Sequence, residues 1–95
     1  MPFVLLRHKI ADYAKWKRVV HAAAAFRKTN GELSFKVLRS SDDPNDVAVI
    51  CEWASAAKAR KFLESDELRK RMKEAGVVGK PKIQFFGKAE DLSVR

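Results

Sequence analysis

The sequence predicts an α+β domain of the ferredoxin-like kind, with a four-stranded antiparallel sheet and two helical crossovers in the order βαββαβ, spanning residues 1–95 as one domain. Three observations predict it. Residues 46–72 open as a strand, turn through Trp53, Ala54 and Ser55, and continue as an alanine- and lysine-rich helix. Ser41, Asp42, Asp43, Pro44, Asn45 and Asp46 form a dense turn cluster between two apolar runs, which makes those runs an antiparallel hairpin. An amphipathic helical stretch follows the first apolar run, and right-handed crossovers then put both helices on one sheet face and leave the other bare.

Residues 3–10 are aliphatic and β-branched, with no helix-cap signal, and read as the first strand. Their alternation separates Val4, Leu6, His8 and Ile10 from Phe3, Leu5, Arg7 and Lys9, and both sets begin apolar. Asp12 is the expected N-cap of a helix that ends at Gly31. On it Trp16, Val19, Val20, Ala23 and Phe26 share one stripe, with Tyr13 at the edge. Lys15, Lys17, Arg18, His21 and Lys28 lie off the centre of that stripe. Arg27 falls inside it. Either its stem lies along apolar surface with the head near the helix C-terminus, or it faces a buried anion or carboxylate.

The second strand is expected over residues 33–40, with Leu33, Phe35 and Val37 on one face and Ser34, Lys36 and Leu38 on the other. The third runs over residues 47–52. The helix after it is expected in two pieces, because Ser65 with Asp66 and Glu67 behind it makes a fresh start suited to the positive dipole end. Ala56, Ala59, Phe62 and Leu63 supply the first apolar face, Leu68, Met72 and Ala75 the second, and Gly76 ends it. Residues 76–81 read as a loop, residues 82–88 as the fourth strand with Ile83, Phe85 and Phe86, and residues 89–95 as a polar tail.

A formal charge of +8 divides evenly, since residues 1–50 carry nine basic and five acidic side chains and residues 51–95 carry eleven and seven. No basic arm therefore stands apart from the fold, and the excess favours anionic partners without choosing one. Cys51 is the only cysteine, so no internal disulfide forms. The N-terminal apolar run is too short for a membrane span or a signal segment, which excludes a membrane role and makes the cytoplasm the expected compartment. RNA binding of the RRM kind shares this strand order, but the third strand lacks the aromatic stacking pattern and nucleic acid is disfavoured. His8, His21 and Cys51 have no metal-ligand spacing, so no metal is expected.

The bare face is expected to carry Val4, Leu6 and His8, then Leu38, Lys36 and Ser34, then Ala48, Ile50 and Glu52, then Phe86 and Gln84. The more uniformly apolar set of Leu5, Leu33, Phe35, Val37, Val47, Val49, Cys51, Ile83 and Phe85 suits the helices. Two sheets packed through the mixed set would enclose a cavity.

Leu6, Arg7, His8 and Lys9, then Asp12, Tyr13, Ala14, Lys15, Trp16 and Lys17, resemble the opening of the dimeric α/β-barrel proteins. Glu52 leading into Ser55, Ala56, Ala59, Phe62, Leu63, Ser65, Asp66, Glu67 and Leu68 does the same. The group is the antibiotic-biosynthesis-monooxygenase-like superfamily, its small uncharacterised or cyclase-like members above all. The resemblance implies a homodimer with a pocket between each sheet and its helices or the partner sheet. Better-known relatives are cofactor-free monooxygenases of polycyclic phenols and enzymes that degrade haem. The latter place a histidine three residues before a helix serine; Phe62 stands there before Ser65, so haem ligation by that helix is excluded. The asparagine–tryptophan constellation of the oxygenases finds no match here.

His8 and Glu52 are the candidate catalytic pair, His8 as general acid or base near neutral pH and Glu52 as its orienting partner or as a plain interface ion pair. Lys36, Trp16, Phe86 and Arg27 are the candidate substrate-binding residues, with Lys36 the group for an anion. The expected function is a homodimer that binds a small organic molecule. Its enzymatic form is a cofactor-independent monooxygenase- or cyclase-like activity on a small aromatic or polyketide-like substrate, with no cofactor. The alternative is a non-catalytic ligand-binding or structural dimer.

Overall fold

A computed structural model describes residues 1–93, so the end of the expected tail lies outside the described residues. Four strands, β1 (Phe3–Ile10), β2 (Glu32–Arg39), β3 (Asp46–Trp53) and β4 (Val77–Phe86), form one antiparallel sheet in the order β2-β3-β1-β4. Helices α1 (Tyr13–Ala22) and α2 (Ala24–Thr29) make the first crossover, and α3 (Ala56–Leu63) and α4 (Asp66–Glu74) the second. This is the expected α+β ferredoxin-like arrangement. Among the described residues no helix is long and apolar enough to cross a membrane.

Local chemistry explains the helix ends. Asp12 accepts the Ala14 N–H at 3.2 Å, Ser55 accepts that of Lys58 at 3.1 Å, and Ser65 accepts that of Leu68 at 3.2 Å. Each satisfies a donor that a helix start leaves orphaned. The break before Ser65 falls where its N-cap chemistry and the following acids place it. Gly76, at φ +80°, ends α4 in a conformation that costs glycine nothing.

The first crossover differs from expectation in being two helices. The chain leaves α geometry at Ala23, whose N–H is shared between the carbonyls of Val19 and Val20, at 3.0 and 3.2 Å. The Val20 carbonyl also accepts from Arg27 Nη1 at 2.6 Å. A guanidinium in the apolar stripe thus finds a main-chain partner where the helix is interrupted.

Three sequence expectations about the sheet are corrected. In β1 it is Val4, Leu6, His8 and Ile10 that face the helices and are buried, while Leu5, Arg7 and Lys9 face outward. The pairing fixes this parity: Val4 lies opposite Cys51 and Phe85, and His8 opposite Val47, all residues of the helix-facing side. Leu33 does not join Phe35 and Val37, because the pairing of β2 with β3 shifts between Glu32 and Ser34; Leu33 is 53% exposed and Glu32 turns inward. Lastly, β4 begins at Val77 and takes in most of the expected loop. Gly79 (φ +75°) and Pro81 fit a strand here because β4 is an edge, where a bulge and a missing N–H are tolerated.

The core lies between sheet and helices. Val4, Leu6, Val47, Val49 and Trp53 meet Trp16, Ala59, Phe62 and Ala75 of the helices. Aromatic packing continues through Trp53 to Phe62 and Phe62 to Phe26, with ring centroids 4.9 and 5.1 Å apart. The opposite sheet face is uncovered and leaves Leu38, Ile50 and Phe86 between 37 and 52% exposed.

Candidate functional site

The apolar layer is not filled solid. A cavity of about 90 Å³ lies between the sheet and the four helices, walled by β1 and β3 on one side and by Trp16, Phe26, Phe62 and Met72 on the other. Of the two places sequence reasoning allowed for a pocket, this is the sheet–helix one. A groove of about 350 Å³ adjoins it between α1 and β2, sharing Trp16, Val20, Arg27 and Phe35 with the cavity. The interior alone suits only a small group; the groove supplies room for the rest of a larger molecule.

His8 is the polar group of the β1 wall. It is 93% withdrawn from solvent, and neither Nδ1 nor Nε2 has a hydrogen-bond partner among the described residues. Its ring meets that of Trp16 edge to face at 5.8 Å, with the planes at 66°. Burial lowers its pKa from the usual value, and the Asp46 carboxylate only partly opposes that. The imidazole is therefore neutral at neutral pH, with one N–H donor and one lone pair to offer. An unpartnered buried polar group costs about 1–3 kcal/mol, so a ligand oxygen that hydrogen-bonds to it would offset that cost.

Arg27 and Glu32 also line the cavity, Arg27 at its junction with the groove. Arg27 Nε donates to Glu32 Oε1 at 2.8 Å, and its guanidinium lies 4.1 Å from the Phe35 ring centroid. Both readings of Arg27 are thus met at once, since the head caps a helix carbonyl and also faces a carboxylate. Burial raises the Glu32 pKa while the Arg27 hydrogen bond pulls it back. Bound to Glu32, Val20 and Phe35, Arg27 forms wall rather than a free anion receptor.

Cys51 is buried as expected. It accepts the Trp53 Nε1–H at 3.3 Å and burial pushes its thiol pKa up to about 11, so no thiolate is available for chemistry at neutral pH.

The remaining candidates lie elsewhere. Glu52 stands opposite Phe3 and Ser34, on the uncovered face. It is therefore on the other side of the sheet from His8, and the expected pairing of the two is corrected by the β1 parity. Lys36, opposite Ile50, and Phe86, opposite Phe3, share that uncovered face and line neither the cavity nor the groove. Trp16 is in both. Glu32 is not among the expected site residues; its signal in the sequence is an acid just beyond the helix that carries an arginine in its apolar stripe. Lys17 and His21, off the centre of the apolar stripe of α1, stand in the wall of the groove.

A family model described as antibiotic biosynthesis monooxygenase matches residues 11–74. None of the curated proteins matches the chain. Among solved structures, a protein of Bordetella bronchiseptica provisionally named an antibiotic biosynthesis monooxygenase superposes with a TM-score of 0.80 at 14% identity, over 94% of this chain and 97% of that one. SnoaB, a cofactor-independent oxygenase from Streptomyces nogalater, gives 0.74 at 20% identity over 96% and 94%. A provisionally named monooxygenase of Caulobacter crescentus gives 0.74 at 22% identity over 94% and 90%. At these identities the structural likeness is one of fold.

Proposed function

The chain belongs to the antibiotic biosynthesis monooxygenase family, and on that premise we propose that residues 1–95 act as one domain of a homodimer whose sheet–helix cavity binds and oxidises a small aromatic or polyketide-like molecule without a cofactor. His8 carries the reading. A neutral, buried imidazole with both nitrogens unpartnered, set against an indole in an apolar cavity, is arranged for a flat molecule bearing a hydroxyl or a carbonyl.

The chemistry follows from the base. His8 takes the proton of a phenolic O–H and leaves an electron-rich anion. Such an anion can give electrons to dioxygen directly. Over the whole reaction one oxygen atom becomes a new carbonyl on the substrate carbon. The other leaves as water with the phenolic hydrogen and the one hydrogen of that ring carbon, so the phenol becomes a quinone and no external reductant enters. Trp16 holds the ring plane, and the apolar walls keep water from the anion. Arg27 and Glu32 hold each other in the cavity wall.

In the same reading the uncovered sheet face is the dimer interface. Leu38, Ile50 and Phe86 form an apolar patch there with Lys36 and Glu52 in it, and a patch of this kind suits a partner sheet. Lys36 and Glu52 then serve the interface rather than the chemistry.

The test is oxygen uptake with small polycyclic phenols in air, with no metal or cofactor added. Uptake by the wild type and its loss in His8→Gln, with the ligand still bound, is the expected result. Binding without uptake in the wild type would return the protein to a non-catalytic ligand-binding dimer.

A further inference from the structure

The groove beside the cavity has a charge pattern of its own. Tyr13, Lys17 and His21 follow one another at i, i+4 and i+8 along α1 and form one wall, facing Phe35 and Val37 of β2. Lys17 and His21 are exposed, and no carboxylate lines the groove among the described residues. Arg27, its third basic residue, is already held by Glu32. Arg39 adds to the field from the rim, its guanidinium 3.8 Å from the centroid of the Tyr13 ring. Beyond Trp16 the walls turn apolar, apart from His8, the Arg27–Glu32 pair and Arg71, whose Nε donates to Glu67 Oε1 at 3.1 Å. One end of the site therefore favours negative charge and the other excludes it.

We propose that the molecule taken by this site is amphipathic: a flat apolar body lies against Trp16 in the cavity, and a carboxylate or comparable anion stays in the groove, met by Lys17 and His21. This rests on the reading of the cavity as a ligand site and narrows its substrate class to aromatic acids. A carboxylate carried into the cavity would lose its hydration without gaining a free cation, because Arg27 is held by Glu32 and Arg71 by Glu67. At the groove it keeps water on one side and an ammonium and an imidazole on the other. The anion thereby sets the direction in which the body enters, with the far edge of the ring system toward His8.

The test uses two probes of one shape, 2-naphthoate and 2-naphthamide, titrated against the quenching of tryptophan fluorescence. The wild type is expected to bind 2-naphthoate more tightly than 2-naphthamide. Lys17→Gln combined with His21→Gln should weaken 2-naphthoate by about two- to fivefold, the range of exposed charge pairs, and leave 2-naphthamide unchanged. Lys17→Arg should keep the preference, and salt should erode it in the wild type. Equal affinities in the wild type, or an equal loss of both probes in the double variant, would overturn the anion site and leave the cavity reading standing. If neither probe binds the wild type, the cavity reading itself is overturned, and this inference with it.

Discussion

Arg27 and Glu32, five residues apart, meet at 2.8 Å across the turn that ends the first crossover, with side chains only 12 and 7% exposed. Neither charge could stay so deep alone. Removing one partner should therefore hurt more than removing both. Glu32→Leu and Arg27→Met are expected to cost about 3 kcal/mol each, and the double variant less than either. Urea unfolding of the four proteins measures the coupling; additive losses would show the pair to be incidental.

His8 makes stability depend on pH. Its folded-state pKa lies below the unfolded value, so the folded protein binds the proton less well than the unfolded chain does. The contribution is whole above the unfolded pKa, about 6.5, and is lost as pH falls from there toward the folded value. Melting temperatures taken from pH 7.5 down to pH 5 should decline more steeply for the wild type than for His8→Gln. Parallel curves would mean that His8 titrates as though exposed.

The uncovered sheet face predicts a change of mass. Ile50 lies near its centre, 37% exposed and opposite Leu5 and Lys36. Native mass spectrometry should find two chains in the wild type and one in Ile50→Glu, whose carboxylates would be buried against each other. A single chain in the wild type would remove the dimer from the reading.

Cys51 should be silent. With its thiol buried and its pKa at about 11, iodoacetamide at pH 7.5 is expected to leave it unmodified in the folded protein and to alkylate it readily in urea. Rapid labelling without denaturant would mean that the β3 wall of the cavity opens.

The order of elements was legible because its signals are local. Turn residues 41–46, the fresh cap at Ser65 and the stop at Gly76 each act over a few residues, and each stands where the sequence places it. The parity of β1 was not, because Phe3, Val4, Leu5 and Leu6 are apolar on both sides and only pairing with β3 and β4 decides between them. One residue of parity moves His8 from one side of the sheet to the other. It parts His8 from Glu52 and joins it to Trp16. Leu33 and Pro81 misled for a related reason, since a bulge and an edge position are properties of the neighbouring strand. Lys17 and His21 look like any solvated residues on a helix wheel, and they gain a site only from the β2 edge beside them.

The two unpartnered nitrogens of His8 set fitness against durability at one position. A leucine there would fill the same space with no polar atom to strand, so His8→Leu should melt higher than the wild type while losing the ability to hold or transform a ligand. A library selected only for thermal endurance would drift away from histidine at position 8, and one selected for ligand would return to it.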